Sequence, residues 1–205
     1  DTILTGSYDH TAILWNLKGE SLKILQGHKD SVMSVAFSPA GDKILTGSED
    51  NTAILWNLKG EALKTFIGHK GRVCVAFSKT GDTILTGSYD STVRLWDQAA
   101  NMIHEFKGHK GRVKSVAFSP HNGNRILIGS WDKTARLWNL NGKMIREFKG
   151  HKNRINDVAF SPKEDNMILT GSEDNSARLW YFNENTGQEF TGHTDAVNAV
   201  AYSSK

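Results

Sequence analysis

Five Gly-His pairs, at Gly27-His28, Gly68-His69, Gly108-His109, Gly150-His151 and Gly192-His193, bring an imidazole into the chain at intervals of 41, 40, 42 and 42 residues. A tryptophan stands 13 residues before each histidine (Trp15, Trp56, Trp96, Trp138, Trp180), and an aspartate 6 residues before each tryptophan (Asp9, Asp50, Asp90, Asp132, Asp174). Imidazole and carboxylate are the groups of acid–base catalysis and metal ligation, and Thr5, Thr46, Thr86 and Thr170 add hydroxyls of the kind a histidine base activates. Five copies of one constellation argue instead for a structural unit. A buried imidazole, hydroxyl and indole N–H each need a partner, and one turn carboxylate accepts from several donors.

Other reactive chemistry is missing. The chain has no Cys-x-x-Cys pair, no His-x-x-x-His, no phosphate loop and no Gly-x-Ser-x-Gly elbow. His10, His104 and His121 fall in turns or on an outer strand without ligand partners and read as surface groups. Cys74, the single cysteine, reads as a small buried hydrophobe; it forms no intrachain disulfide and suits a reducing compartment, so a cytoplasmic location is expected. No enzymatic activity, cofactor or metal is expected.

The 205 residues are 38% hydrophobic and 23% charged, with 19 Gly and 3 Pro, which excludes disorder, collagen and a disulfide scaffold. A formal charge of +3, from 25 basic and 22 acidic residues, is too balanced to call for nucleic acid or a membrane surface. The apolar runs are far short of the ~20 residues that span a bilayer.

Short strands and tight turns hold these residues in place along the repeat. The unit at 32–66 contains four β-rich runs, Val32 to Phe37, Lys43 to Thr46, Thr52 to Trp56 and Ala62 to Phe66. Between them lie Ser38-Pro39-Ala40-Gly41-Asp42, Gly47-Ser48-Glu49-Asp50-Asn51 and Asn57-Leu58-Lys59-Gly60-Glu61, the residue types that make hairpin turns. Four antiparallel strands in about 40 residues are the signature of a propeller blade.

The Gly-His pairs, Ser-Pro turns, Thr-Gly-Ser-x-Asp segments and Trp-Asn or Trp-Asp endings resemble the WD-repeat β-propeller family over the whole chain. Only Trp96-Asp97 spells the dipeptide; Asn follows Trp15, Trp56 and Trp138, and Tyr181 follows Trp180. The resemblance implies one hydrogen-bonded network per blade: His28/Thr46/Asp50/Trp56, His69/Thr86/Asp90/Trp96 and His151/Thr170/Asp174/Trp180. In His109/Asp132/Trp138 the threonine position holds Ile128, so His109 must find another partner or stay wet.

A second departure lies in the blade of Cys74. Arg72-Val73-Cys74-Val75 stands where the next blade has Arg112-Val113-Lys114-Ser115-Val116, one residue longer, and Lys79 replaces the usual proline. Side chains alternate faces with period 2, so the deletion is expected to leave irregular pairing at the start of that strand.

In the resembled family, partners dock on the rim formed by loops before the inner strands and turns between second and third strands. Before each turn Asp stand Tyr8, Glu49, Tyr89, Trp131 and Glu173; before each inner-strand Val or Ile stand Ser31, Arg72, Arg112, Arg154 and Ala196. Three aromatics and three arginines thus meet at one end, with Lys29, Lys70, Lys110 and Lys152 nearby. These types are enriched in interface hot spots, and arginine forks take carboxylates and phosphates two-pronged. The expectation is a non-catalytic protein-interaction scaffold whose partner-binding residues are Tyr8, Glu49, Arg72, Tyr89, Arg112, Trp131, Arg154 and Glu173, and whose partner is an acidic or phosphorylated peptide or protein. Nucleic acid and membrane are not expected. The alternative is an engineered, recently amplified or partial propeller without a selected ligand. A small-ligand or glycan-binding propeller ranks below both, because the five rim positions vary where a repeated pocket would not.

Closure completes the expected fold, a single all-β domain over residues 1–205. Asp1 leads directly into a second strand at Ile3-Leu4-Thr5-Gly6-Ser7, while Val197 to Tyr202 reads as an inner strand with nothing after it. Together the terminal strands would complete one shared blade, giving five four-stranded antiparallel blades, with His193 joining Thr5, Asp9 and Trp15 and removing two exposed edges. A closed monomer is the expectation; an open five-blade arc, a longer ring missing further repeats, and strand exchange between two chains are the alternatives that satisfy the same ends.

Overall fold

Each turn between a second and a third strand is built on its aspartate. In 48–52 the Ser48 amide donates to the Thr52 carbonyl, the Thr52 amide and hydroxyl both donate to Asp50 Oδ1, and Asn51 takes the left-handed conformation with φ 71°. His10, Ser91, Lys133 and Asn175 occupy the same place in the other turns, with φ between 67° and 72°. A side-chain carboxylate that mimics the turn's own backbone acceptor makes this tight reversal stable without glycine.

The computed structural model describes residues 1–121, 123–184 and 187–203. These residues contain nineteen strands and no helix, arranged as five antiparallel sheets. The first blade is β1 (Thr2–Gly6), β2 (Thr11–Asn16) and β3 (Ser21–Gln26); the second is β4 (Val32–Phe37), β5 (Lys43–Ser48), β6 (Ala53–Asn57) and β7 (Ala62–Phe66). The third is β8 (Val73–Phe77), β9 (Thr83–Ser88), β10 (Val93–Asp97) and β11 (Met102–Phe106). In the fourth are β12 (Val113–Phe118), β13 (Arg125–Ser130), β14 (Thr134–Asn139) and β15 (Met144–Lys149), and in the fifth β16 (Ile155–Phe160), β17 (Met167–Ser172), β18 (Ala177–Tyr181) and β19 (Gln188–Phe190). Within every sheet the strands lie in chain order, the arrangement of a propeller blade. The protein is a five-blade all-β propeller.

The core lies between blades. One apolar cluster joins Leu14 and Leu25 of the first blade to Val32, Ile44 and Trp56 of the second; others join the second to the third, the third to the fourth and the fourth to the fifth. Glycines in the second strands let neighbours approach: a Cβ on Gly47 would stand 2.6 Å from the Val73 carbonyl oxygen of the next blade.

Residues 197–200 continue this pattern beyond the fifth blade. Val197 and Val200 pack over Gly171, and the Val197 amide donates to the Ser172 carbonyl at 2.9 Å, just as Val32 donates to Ser7 at 2.9 Å. The segment therefore occupies an inner-strand position. The expected ladder between 197–202 and β1 is not formed in this structure: β1 is the edge of a three-stranded sheet, and Ile3 is 49% exposed.

The third blade corrects an expectation. The inner-strand ladders of the second, fourth and fifth blades each carry a register shift, between Val32 and Ser34, Val113 and Ser115, and Ile155 and Asp157, leaving Met33, Lys114 and Asn156 as extra residues. The shorter β8 pairs without interruption: Val73 with Ser88, Cys74 with Gly87, Val75 with Thr86. The missing residue is the bulge itself, so its deletion makes the ladder regular.

Candidate functional site: the arginine and aromatic rim

Three of the blade networks are complete. In the second blade His28 Nδ1 lies 2.8 Å from Asp50 Oδ2 and Nε2 lies 2.7 Å from Thr46 Oγ1, while Trp56 Nε1 donates to the same hydroxyl at 2.9 Å. The third blade repeats this with His69, Asp90, Thr86 and Trp96, and the fifth with His151, Asp174, Thr170 and Trp180, all at 2.7–2.9 Å. Because the indole N–H occupies the threonine oxygen as a donor, the hydroxyl hydrogen is free to point at histidine Nε2. Nδ1–H then donates to the aspartate. That wiring describes a neutral histidine beside an ionised carboxylate.

Burial raises the Asp174 carboxyl, but hydrogen bonds from Ser176, the Lys152 amide and His151 outweigh it and hold the group well below the usual range. The balance is the same at Asp90 and Asp132. His151 is held below its ordinary value by burial, against the pull of Asp174. With every hydrogen donated inward, these groups are occupied in holding strands together.

The fourth blade keeps His109 Nδ1 at 2.8 Å from Asp132, but His109 Nε2 and Trp138 Nε1 are buried without a partner among the described residues. In the first blade Trp15 donates to Thr5 and Thr11 to Asp9, yet His193 is exposed and stands apart from that set. With no ladder from 197–202 to β1, nothing carries His193 to Asp9. Among the described residues no group of three His, Cys, Asp or Glu is placed to hold a metal ion. Burial pushes the Cys74 thiol up to about 11, and it donates to the Gly87 carbonyl.

Backbone hydrogen bonds assemble the rim. In the second to fifth blades the amide of the residue before the turn aspartate donates to the carbonyl of the residue before the inner strand: Glu49 to Ser31, Tyr89 to Arg72, Trp131 to Arg112 and Glu173 to Arg154, at 2.9–3.0 Å. Adjacent blades then bring these side chains into one row. Arg72 lies 3.9 Å from Glu49 and stacks 5.3 Å over Tyr89. Arg112 lies 4.9 Å over Tyr89 and 5.0 Å over Trp131, whose rings are 5.1 Å apart. Arg154 stacks 4.3 Å over Trp131 and approaches Glu173 at 3.7 Å. Seven of the eight expected residues therefore form a continuous row in which cations alternate with aromatic faces. Tyr8 stands outside it, 74% exposed on the three-stranded blade.

Within the row the arginines differ. Arg72 and Arg154 each have a carboxylate nearby, whereas Arg112 is exposed and makes no ion pair among the described residues. Sequence spacing placed these residues at one end but carried no signal for the stacking order, which depends on how adjacent blades are rotated.

The family described as WD domain, G-beta repeat matches residues 19–57, 60–97, 100–139 and 142–181. Each match starts at or just before an outer strand and ends with the third strand of the following blade, so one sequence repeat spans two blades. No curated protein matches the chain.

Proposed function

The chain belongs to the WD-repeat family, whose propellers are generally non-catalytic protein-interaction scaffolds, and on that premise we propose that it binds an acidic or phosphorylated peptide on the rim row from Glu49 to Glu173. The observation that carries this reading is Arg112. Its guanidinium carbon sits over both rings of the Tyr89–Trp131 pair, 4.9 and 5.0 Å from their centres, and no carboxylate pairs with it among the described residues. A stacked arginine has already lost much of its side-chain freedom, so a carboxylate or phosphate that docks on its fork meets a preorganised donor pair. Glu49 and Glu173 at the ends of the row favour a short anionic segment over a nucleic-acid backbone, which would run past both.

The test is a peptide array containing acidic and phosphorylated sequences, probed with the wild-type chain and with an Arg112→Ala, Trp131→Ala double variant. Retention by wild type alone supports the reading; equal retention by both refutes it.

A further inference from the structure

The extra residues of the bulged inner strands, Met33, Lys114 and Asn156, line a cavity of about 290 Å³ on the propeller axis, together with Arg72, Cys74 and Asn198. Side chains around this space come from four inner strands and from the 197–200 segment, which places it at the centre of the blades. The third blade contributes no bulge residue. A side chain that would crowd the axis beside Lys114 is therefore missing, and the cavity is asymmetric in the direction of Arg72 and Cys74.

Its charges are unbalanced. Among the described residues the one carboxylate on the wall, Asp157, is already committed: Oδ1 accepts from the Ser115 hydroxyl at 2.7 Å and the Val158 amide at 2.9 Å, and Oδ2 from the Val200 amide at 2.9 Å. Facing it are two cations. Arg72 has its carboxylate neighbour, Glu49, 3.9 Å away on the rim. The half-buried Lys114 ammonium has no hydrogen bond or ion pair among the described residues. From this we infer that the axial cavity is an oxyanion subsite, in which one carboxylate or phosphate group pairs with Lys114 Nζ and Arg72 and takes a further hydrogen bond from the Asn198 side-chain amide, while the Asn156 amide stays donated to the Val197 carbonyl and Asn198 Oδ1. Burial, and after it the Arg72 charge, hold the Lys114 ammonium below its usual range, and an entering anion would relieve both effects. The inference goes beyond the rim reading and rests on Lys114, which is not part of the rim row; Arg72 alone is shared by the two.

Calorimetric titration of the 205-residue chain with inorganic phosphate tests it, paired with amide chemical shifts. Saturable binding is expected, with shifts at Arg72, Lys114 and Asn156, weakened about tenfold or more in Lys114→Met and Lys114→Gln, since a hydrogen bond to a charged group is lost. Lys114→Arg should restore it, and Lys18→Met, far from both sites on an exposed turn, should leave it intact; thermal melts confirm that each variant folds. A phosphoserine peptide that displaces phosphate identifies the occupant as a partner's side chain, and one that does not identifies the free ion; either result supports the subsite. Absence of saturable binding in wild type, or unchanged affinity in both neutral Lys114 variants, overturns it. Neither result would alter the array outcome expected at Arg112, so the two readings fail separately.

Discussion

His109 Nε2 and Trp138 Nε1 lack one and the same partner: the hydroxyl that Thr46, Thr86 and Thr170 supply to the equivalent pair in the other complete blades. Ile128 stands in its place, fully buried. Ile128→Thr returns an acceptor to the indole and a donor to the imidazole, each worth about 1 kcal/mol or more. Roughly 1 kcal/mol of apolar burial is lost in exchange. A net gain of about 1 kcal/mol is expected, read as a higher urea midpoint with unchanged slope; a midpoint at or below wild type would show that the orphaned pair costs nothing.

Ala100 has φ 67° at the turn position where Gly19, Gly60 and Gly142 have φ of 80–84°. A side chain in the left-handed region costs about 1–2 kcal/mol, of which glycine's larger unfolded-state entropy returns a part. Ala100→Gly should therefore stabilise the third blade by about 0.5–1 kcal/mol. Thermal unfolding at matched concentration checks this, and a lower melting temperature would contradict it.

Acid should destabilise the propeller in two steps. His151 has a folded pKa below its ordinary 6.5, so its contribution is intact above pH 6.5 and is lost as pH falls from there through the folded value. Asp90, Asp132 and Asp174 are held below 3.8, so theirs is intact above pH 3.8 and is lost as pH falls through their folded values. Urea midpoints measured across this range should show both declines, and His151→Gln should shrink the first while leaving the second in place. A midpoint that rises between neutral pH and pH 5 would contradict the neutral-histidine wiring.

How much of this was legible beforehand differs from residue to residue. The strands followed from turn chemistry, and the missing hydroxyl at Ile128 from counting positions. The bulges were not legible, because Met33, Lys114 and Asn156 differ in type and only a backbone ladder shows that they are extra; the shorter β8 consequently looked like the irregular one. The order Arg72, Tyr89, Arg112, Trp131, Arg154 is equally hidden in the sequence, since the links Tyr89–Arg112 and Trp131–Arg154, each 23 residues apart, form only when one blade is rotated against the next.

β1 is the edge of a three-stranded sheet, and 197–200 lies at an inner-strand position beside the fifth blade with no ladder to β1. The edge amides of β1 are therefore expected to exchange rapidly with solvent. Slow exchange throughout β1 would contradict this and show that another strand covers the edge.

If the rim row binds a peptide, Arg112 is its anchor. The most direct measurement is the dissociation constant of an array-selected acidic or phosphorylated peptide for the wild-type chain, for Arg112→Ala, and for the Arg112→Ala, Trp131→Ala double variant at fixed ionic strength. Arg112→Ala should weaken binding about 10–100-fold and the double variant further, as expected when a hot-spot arginine and its stacking partner are truncated. Equal affinity in all three folded proteins would contradict the claim and leave the row as an interblade brace.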